Sequence, residues 1–120
     1  MSLYIKKFKE QDFDKRVKES KSVRAKYPEK IPIVVGRLET DKYLNDVEKH
    51  KFLVPCDIAM SQFAYIIRKQ IKLNHEQALF LFVNGIIVSS STLMAKVYDE
   101  NKDDDGYLYV TYASENTFGN

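Results

Sequence analysis

Two short β-branched runs, IPIVVGR (31–37) and KFLVP (51–55), stand just ahead of a stretch in which Phe63, Ile66, Ile67 and Ile71 recur at helical spacing. That succession is the strongest constraint the chain places on its own fold. The runs are joined by a polar connection, LETDKYLNDVEKH, that contains neither glycine nor proline. Together they predict the first hairpin of a sheet. The helix after them leaves Arg68, Lys69 and Lys72 outside its apolar face, with Asp57 or Ser61 expected as its cap. Sheet and helix each carry an apolar face, and packing one on the other buries both.

Further along, ALFLFV (78–83) is too continuously apolar for a surface strand, and Asn84-Gly85 suits a tight turn because both positions tolerate positive φ. IIV returns from that turn. Ser89 to Thr92 are expected to cap a short helix running through Leu93, Val97 and Tyr98, and DDDG turns into a last strand, YLYVTYA. Ahead of the hairpin, a short helix is expected near Leu3 to Lys9 and a longer one from about Asp12 to Lys26, ended by Pro28. Phe13, Val17, Ser20, Val23 and Tyr27 form the narrow stripe by which this second helix would pack. The order is that of an α+β, ubiquitin-like β-grasp: a mixed four-stranded sheet packed on a central helix, with two additional N-terminal helices. The expected organisation is a single domain: a helical extension over 1–28, the core over 29–113 and a flexible tail over 114–120.

Composition narrows the functions open to such a chain. Hydrophobic residues make up 44% and charged residues 30% of 120 positions, the proportions of one globular domain. No apolar stretch approaches the roughly 18 residues of a membrane span, and the start, MSLYIKKFKE, has no secretory apolar run, which predicts a cytoplasmic chain. Cys56, with only His50 and His75 as companions, makes a poor zinc site or nucleophile and reads as a small hydrophobe, so no metal is expected. Residues 1–30 hold ten Lys/Arg against five Asp/Glu, while residues 31–120 hold nine against twelve. A basic appendage therefore sits on a mildly acidic body.

Three chemistries are tempting and fail. DENKDDDG lacks the closing glutamate of a calcium loop, having Tyr112 at that position, and reads as a solvated turn. Tyr107, Tyr109 and Tyr112 beside a basic helix suggest nucleic-acid stacking, but alternation sends Tyr112 to the opposite strand face from the other two. There is no glycine-rich phosphate loop and no paired histidine and carboxylate, so no catalytic residues are predicted and the chain reads as a non-enzyme.

At RAKYPEKIPIVV, KFLVPCDIAMSQFAYIIRK, ALFLFVNG and DDDGYLYVTYASENTFG the chain resembles, across nearly its whole length, the autophagy-related ubiquitin-like modifiers, the GABARAP-type or autophagy-related protein 8 family. The resemblance implies that a cysteine protease cuts between Gly119 and Asn120, with Phe118 as its recognition anchor. It further implies that activating and conjugating enzymes join the Gly119 carboxyl to phosphatidylethanolamine. No cofactor is expected beyond that covalent lipid. The conjugate would be anchored on autophagosomes, vesicles and the vacuole or lysosome. Glycine suits a narrow reaction channel because it has no Cβ.

The resemblance also implies recognition of aromatic-x-x-aliphatic peptides, carried by cargo receptors and autophagy proteins, that add a strand beside KFLVP. An aromatic pocket would use Glu19, Val23, Pro32, Lys51, Leu53 and Tyr107; an aliphatic one would use Phe52, Val54, Pro55, Ile58, Phe63 and Ile66. Lys49 and Lys51 can attract acidic residues around the peptide, and Lys30 and Arg68 complete the implied peptide-binding set. The sequence departs from the family's usual arginines at Lys30 and Gln70, which weakens bidentate pairing there. The alternative is an unconjugated peptide-binding or trafficking adaptor on the same fold.

Overall fold

The structure is a computed structural model, and it describes residues 1–74 and 76–115. Its elements run α1 (Leu3–Lys9), α2 (Phe13–Lys26), β1 (Lys30–Arg37), β2 (Lys51–Pro55), α3 (Met60–Ile71), β3 (Leu79–Val83), β4 (Ile86–Ile87), α4 (Met94–Asn101) and β5 (Leu108–Ser114). The sheet has five strands in the order β2-β1-β5-β3-β4. The fifth is the two-residue β4, which turns the expected four-stranded sheet into a five-stranded one. β1 and β5 are parallel and every other neighbouring pair is antiparallel. This is the expected ubiquitin-like α+β arrangement. The last strand includes Ser114, one residue beyond the boundary expected for the core.

β1 explains why its sequence is apolar without interruption. Ile31, Ile33 and Val35 point into the main core beneath α3, while Val34 points into a second cluster with Ile5, Phe8 and Tyr107 beneath the N-terminal helices. A strand covered on both faces has no use for polar alternation. β3 is less enclosed than its composition predicts. Leu81 and Val83 are buried, whereas Leu79, Phe80 and Phe82 are half-buried.

α1 is capped by the Ser2 hydroxyl, which accepts from the Ile5 amide at 3.3 Å. Ser2 also forms an isolated bridge with Leu38, and it fits because Gly36 has no side chain: a Cβ there would lie 1.8 Å from Ser2 Oγ. The α3 cap differs from expectation. Neither Asp57 nor Ser61 serves; Ala59 occupies the cap and its N–H donates to Gln62 Oε1 at 2.8 Å. The Ser89–Thr92 cluster contributes backbone rather than hydroxyls. Thr92 and Ser90 carbonyls accept from the Met60 and Ser61 amides, while Ile58 and Cys56 carbonyls accept from Met94 and Ala95. Each helix start is thus satisfied by the segment ahead of the other, which makes side-chain caps unnecessary.

The largest departure concerns α2. Phe13 is 45% exposed and Tyr27 36%, and Val17 and Val23 are only half-buried. The buried residues of the helix are Arg16 and Ser20. Arg16 Nη1 donates to Asp105 Oδ2 at 2.6 Å, the Tyr109 hydroxyl donates to the same oxygen, and the Tyr107 amide donates to Oδ1 at 2.8 Å. Ser20 Oγ donates to the Asp105 carbonyl beside Gly106, whose φ of +90° and lack of Cβ allow the approach. The acidic turn is therefore no solvated loop. Asp105 is 1% exposed and holds the second helix on the sheet by polar contacts, not by an apolar stripe.

Removing one member of a buried ion pair strands the other charge. Asp105→Ala is expected to lower stability by about 3–5 kcal/mol, measured by urea denaturation, with Arg16→Ala in the same background adding far less than it costs alone.

Candidate functional site

Among the described residues β2 is an edge strand that pairs with β1 alone, and an edge strand presents its outer backbone groups to a potential partner. Its five side chains alternate between the two faces of the sheet. Lys51 and Leu53 fall on the side of α1 and α2. Phe52 and Val54 fall on the side of α3.

On the first side the structure joins Glu19, Lys51 and Tyr107. Lys51 Nζ lies 2.5 Å from Glu19 Oε1 and 5.2 Å from the centre of the Phe8 ring, and the Tyr107 hydroxyl donates to the same Glu19 oxygen at 2.7 Å. The Lys51 bond, and then that from Tyr107, hold the Glu19 carboxyl below the usual carboxylate range. Burial and the Glu19 bond push the Tyr107 phenol well above its ordinary value. Pro32 is the cross-strand partner of Leu53, and Val23 follows Glu19 by one helical turn. Glu19, Lys51 and Tyr107 thus meet beside the edge strand, joined by an ion pair and a hydrogen bond.

On the second side Phe52 meets Phe63 edge to face at 5.6 Å. Phe63 and Val54 are 0% and 3% exposed, so they pack the core and can serve only as a floor. Phe52, Ile58 and Ile66 are half-buried and carry the accessible surface of this side, whereas the exposed Pro55 falls by alternation on the side of Lys51 and Leu53. Lys30 lies across from Pro55 with its ammonium over the Tyr27 ring at 5.8 Å. The Lys49 amide donates to Gln70 Oε1 at 3.3 Å, and Arg68 Nη1 donates to the Asn74 carbonyl at 3.3 Å. Gln70 thus ties the entry of β2 to α3. Phe118, Gly119 and Asn120, and with them the expected cleavage and conjugation point, lie outside the described residues.

Two clefts lie away from this edge, one of about 440 Å³ between α1, β3 and β5 and one of about 270 Å³ between α3 and the β3–β4 hairpin. Neither includes a β2 residue. Binding along an edge strand uses an open backbone row with shallow side-chain recesses and needs no enclosed cavity.

One contributor lay beyond sequence reasoning. The His50 ring stacks on Tyr4 at 3.6 Å with an interplanar angle of 6°, and its Nδ1–H donates to the Val35 carbonyl at 2.8 Å. A carbonyl can only accept, so the proton belongs on Nδ1. Tyr4 and His50 pin α1 against the start of β2, and no periodicity links residues so far apart. Among the described residues no group of three or more His, Cys, Asp or Glu side chains is placed to hold a metal.

Because Glu19 titrates below its ordinary value of 4.5, the stability it contributes is complete above that pH and is lost as the pH falls through its lowered folded value. Glu19→Gln is expected to lower the melting temperature slightly at neutral pH, where the charged carboxylate contributes, and to converge on the unaltered protein in acid, so that the acid limb is flatter. The effect is small because the pair is partly exposed.

A family model described as "Autophagy protein Atg8 ubiquitin like" matches residues 15–119. Autophagy-related protein 8e of Arabidopsis thaliana is 47% identical over 108 residues, covering 90% of this chain and 88% of the relative. Autophagy-related protein 8 of Coccidioides immitis is 46% identical over 115 residues, covering 95% and 97%. The crystal structure of Trypanosoma brucei ATG8 superposes with a TM-score of 0.85 at 36% identity, covering 91% of this chain and 93% of that one. With the two N-terminal helices, the β-grasp core and the open β2 edge in place, these similarities establish that the chain belongs to the Atg8 family of ubiquitin-like autophagy proteins.

Proposed function

We propose that this protein is a lipid-conjugated modifier that displays a peptide-docking edge on autophagic membranes, and that it is a substrate of its conjugation machinery, not a catalyst. The observation that carries the docking half is the β2 edge. Among the described residues the outer backbone row of β2 pairs with no other strand, and it is flanked on one side by Glu19, Lys51 and Tyr107 and on the other by Phe52, Ile58 and Ile66. An incoming extended segment would pair with that row, put an aromatic side chain on the Lys51 side and an aliphatic one on the Phe52 side, and present acidic residues to Lys51 and Lys49. Entry of the aromatic ring separates Lys51 from Glu19, and an acidic flank of the peptide then replaces Glu19 as the partner of the ammonium. Cargo receptors and autophagy proteins are the proposed peptide sources.

The conjugation half rests on family membership and on the terminal Phe118-Gly119-Asn120. In this reading a cysteine protease hydrolyses the Gly119–Asn120 bond. The new carboxylate is adenylated by ATP with loss of pyrophosphate, passes as a thioester through activating and conjugating enzymes, and forms an amide with the amine of phosphatidylethanolamine. Among the described residues no helix is long and apolar enough to cross a membrane. Two acyl chains would anchor the conjugate, since each buried CH₂ contributes about 0.8 kcal/mol.

Incubating the full chain with the family's processing protease should remove a single asparagine by intact mass, and Gly119→Ala should abolish both cleavage and membrane recruitment. Undiminished recruitment of Gly119→Ala would instead support an unconjugated adaptor. For the docking edge, Leu53→Ala is expected to weaken an aromatic-x-x-aliphatic peptide about tenfold by calorimetry, the scale of a lost apolar contact in a buried recess.

A further inference from the structure

We propose that Asp41 is a positioning residue for the C-terminal tail: its buried carboxylate fixes the point and direction at which the chain leaves the sheet toward Gly119. The inference rests on the conjugation reading above and assigns a role in it to the β1–β2 connection. It begins from how β5 ends. The Leu38 amide donates to the Tyr112 carbonyl at 2.9 Å, so the backbone polar groups of residue 112 face β1, and by alternation those of Ser114 face the same way. β1 stops at Arg37, however, and the chain turns aside, the Asp41 amide bonding back to the Leu38 carbonyl at 2.9 Å. The register of β1 with β5 ends at Arg37 and Tyr112, short of Ser114. Asp41 supplies the acceptor instead: its Oδ2 takes the Ser114 amide at 2.6 Å and the Ser114 hydroxyl at 2.8 Å.

The other carboxylate oxygen fixes Asp41 itself, accepting from the Tyr43 and Leu44 amides at 2.8 and 3.1 Å. The loop that carries it is held in turn by its surroundings. Arg37 Nη1 donates to the Asp41 and Leu44 carbonyls, the Tyr112 hydroxyl donates to the Asn45 carbonyl, and Asn45 Nδ2 donates to the Ile71 carbonyl. Asp41 is 1% and Ser114 5% exposed. A buried, doubly anchored carboxylate whose outward oxygen accepts two donors from the last strand residue is a mooring for whatever follows that residue. Gly119 is five positions beyond Ser114, a span of roughly 17 Å at full extension. With Ser114 moored, the segment that leads to Gly119 starts from a fixed origin. With Ser114 released, that origin is lost and presenting Gly119 to a narrow enzyme channel becomes less favourable.

The test is steady-state processing of the full chain by the family's cysteine protease, comparing the unaltered protein with Asp41→Asn and Ser114→Ala. Asparagine keeps one acceptor for the Tyr43–Leu44 turn but sets an NH₂ group against the two Ser114 donors. Asp41→Asn is expected to raise KM about tenfold, the order for re-fixing one backbone residue before reaction, while kcat stays within about twofold. Ser114→Ala, which removes only the hydroxyl, should raise KM by a smaller factor, and it decides the matter alone if Asp41→Asn does not fold. Amide exchange at Ser114 should accelerate in Asp41→Asn, and peptide affinity at the β2 edge should be unchanged. An unaltered KM in a folded variant would overturn the proposal, as would a KM change matched by an equal loss of peptide affinity, which marks general destabilisation. Failure of the protease to cleave the unaltered chain would reject the conjugation reading itself.

Discussion

The contact between Arg16 and Asp105 is the one on which the rest of the arrangement depends. It spans 89 positions and joins the second helix to the turn that launches the central strand. Because the buried face of α2 is Arg16 and Ser20, little apolar burial is available to dock this helix. The carboxylate instead gathers donors from Arg16, Tyr107 and Tyr109, which leaves the buried charge paired and hydrogen-bonded as the interior requires. Once α2 is placed, Glu19 meets Lys51 and Tyr107 beside the edge strand.

The sheet divides the work between its two faces. One face, with α3, holds the large core of Ile31, Ile33, Phe63, Ile67, Leu108 and their neighbours. The other carries the small cluster of Ile5, Phe8, Val34 and Tyr107 under α1 and α2. β1 and β5 lie between the two and are buried on both sides, which leaves the backbone of β2 open at one edge. An edge strand with charged Lys51 at its start and Pro55 at its end is guarded against indiscriminate pairing while remaining available to a matched segment. In the proposed docking role, guarding and recognition would use the same residues.

Hydrophobic order carried much of this reading. IPIVVGR, KFLVP and the Phe63–Ile71 spacing announce a hairpin and its helix because apolar burial follows period, and period is local. The same rule misdescribed α2, where Phe13 and Tyr27 face outward and the packing is done by an arginine and a serine. It also missed the caps of α3 and α4, which are backbone carbonyls of distant segments and leave no residue signature. The peptide-edge residues were named through family resemblance; periodicity alone would have placed Phe52, Val54 and Phe63 in the core and stopped there.

What the sequence determined by itself is the order of elements, the basic character of the first thirty residues, the family, and the presence of Gly119 near the end. Tertiary structure alone decided which polar groups meet: Arg16 with Asp105, Glu19 with Lys51, Asp41 with Ser114. The physical reason is that apolar pattern repeats along the chain and can be counted, whereas a buried carboxylate is specified by donors brought to it from far away. Nothing near Asp41 in the sequence distinguishes it from the exposed acids around it. Only the fold shows that one of them holds the end of the last strand.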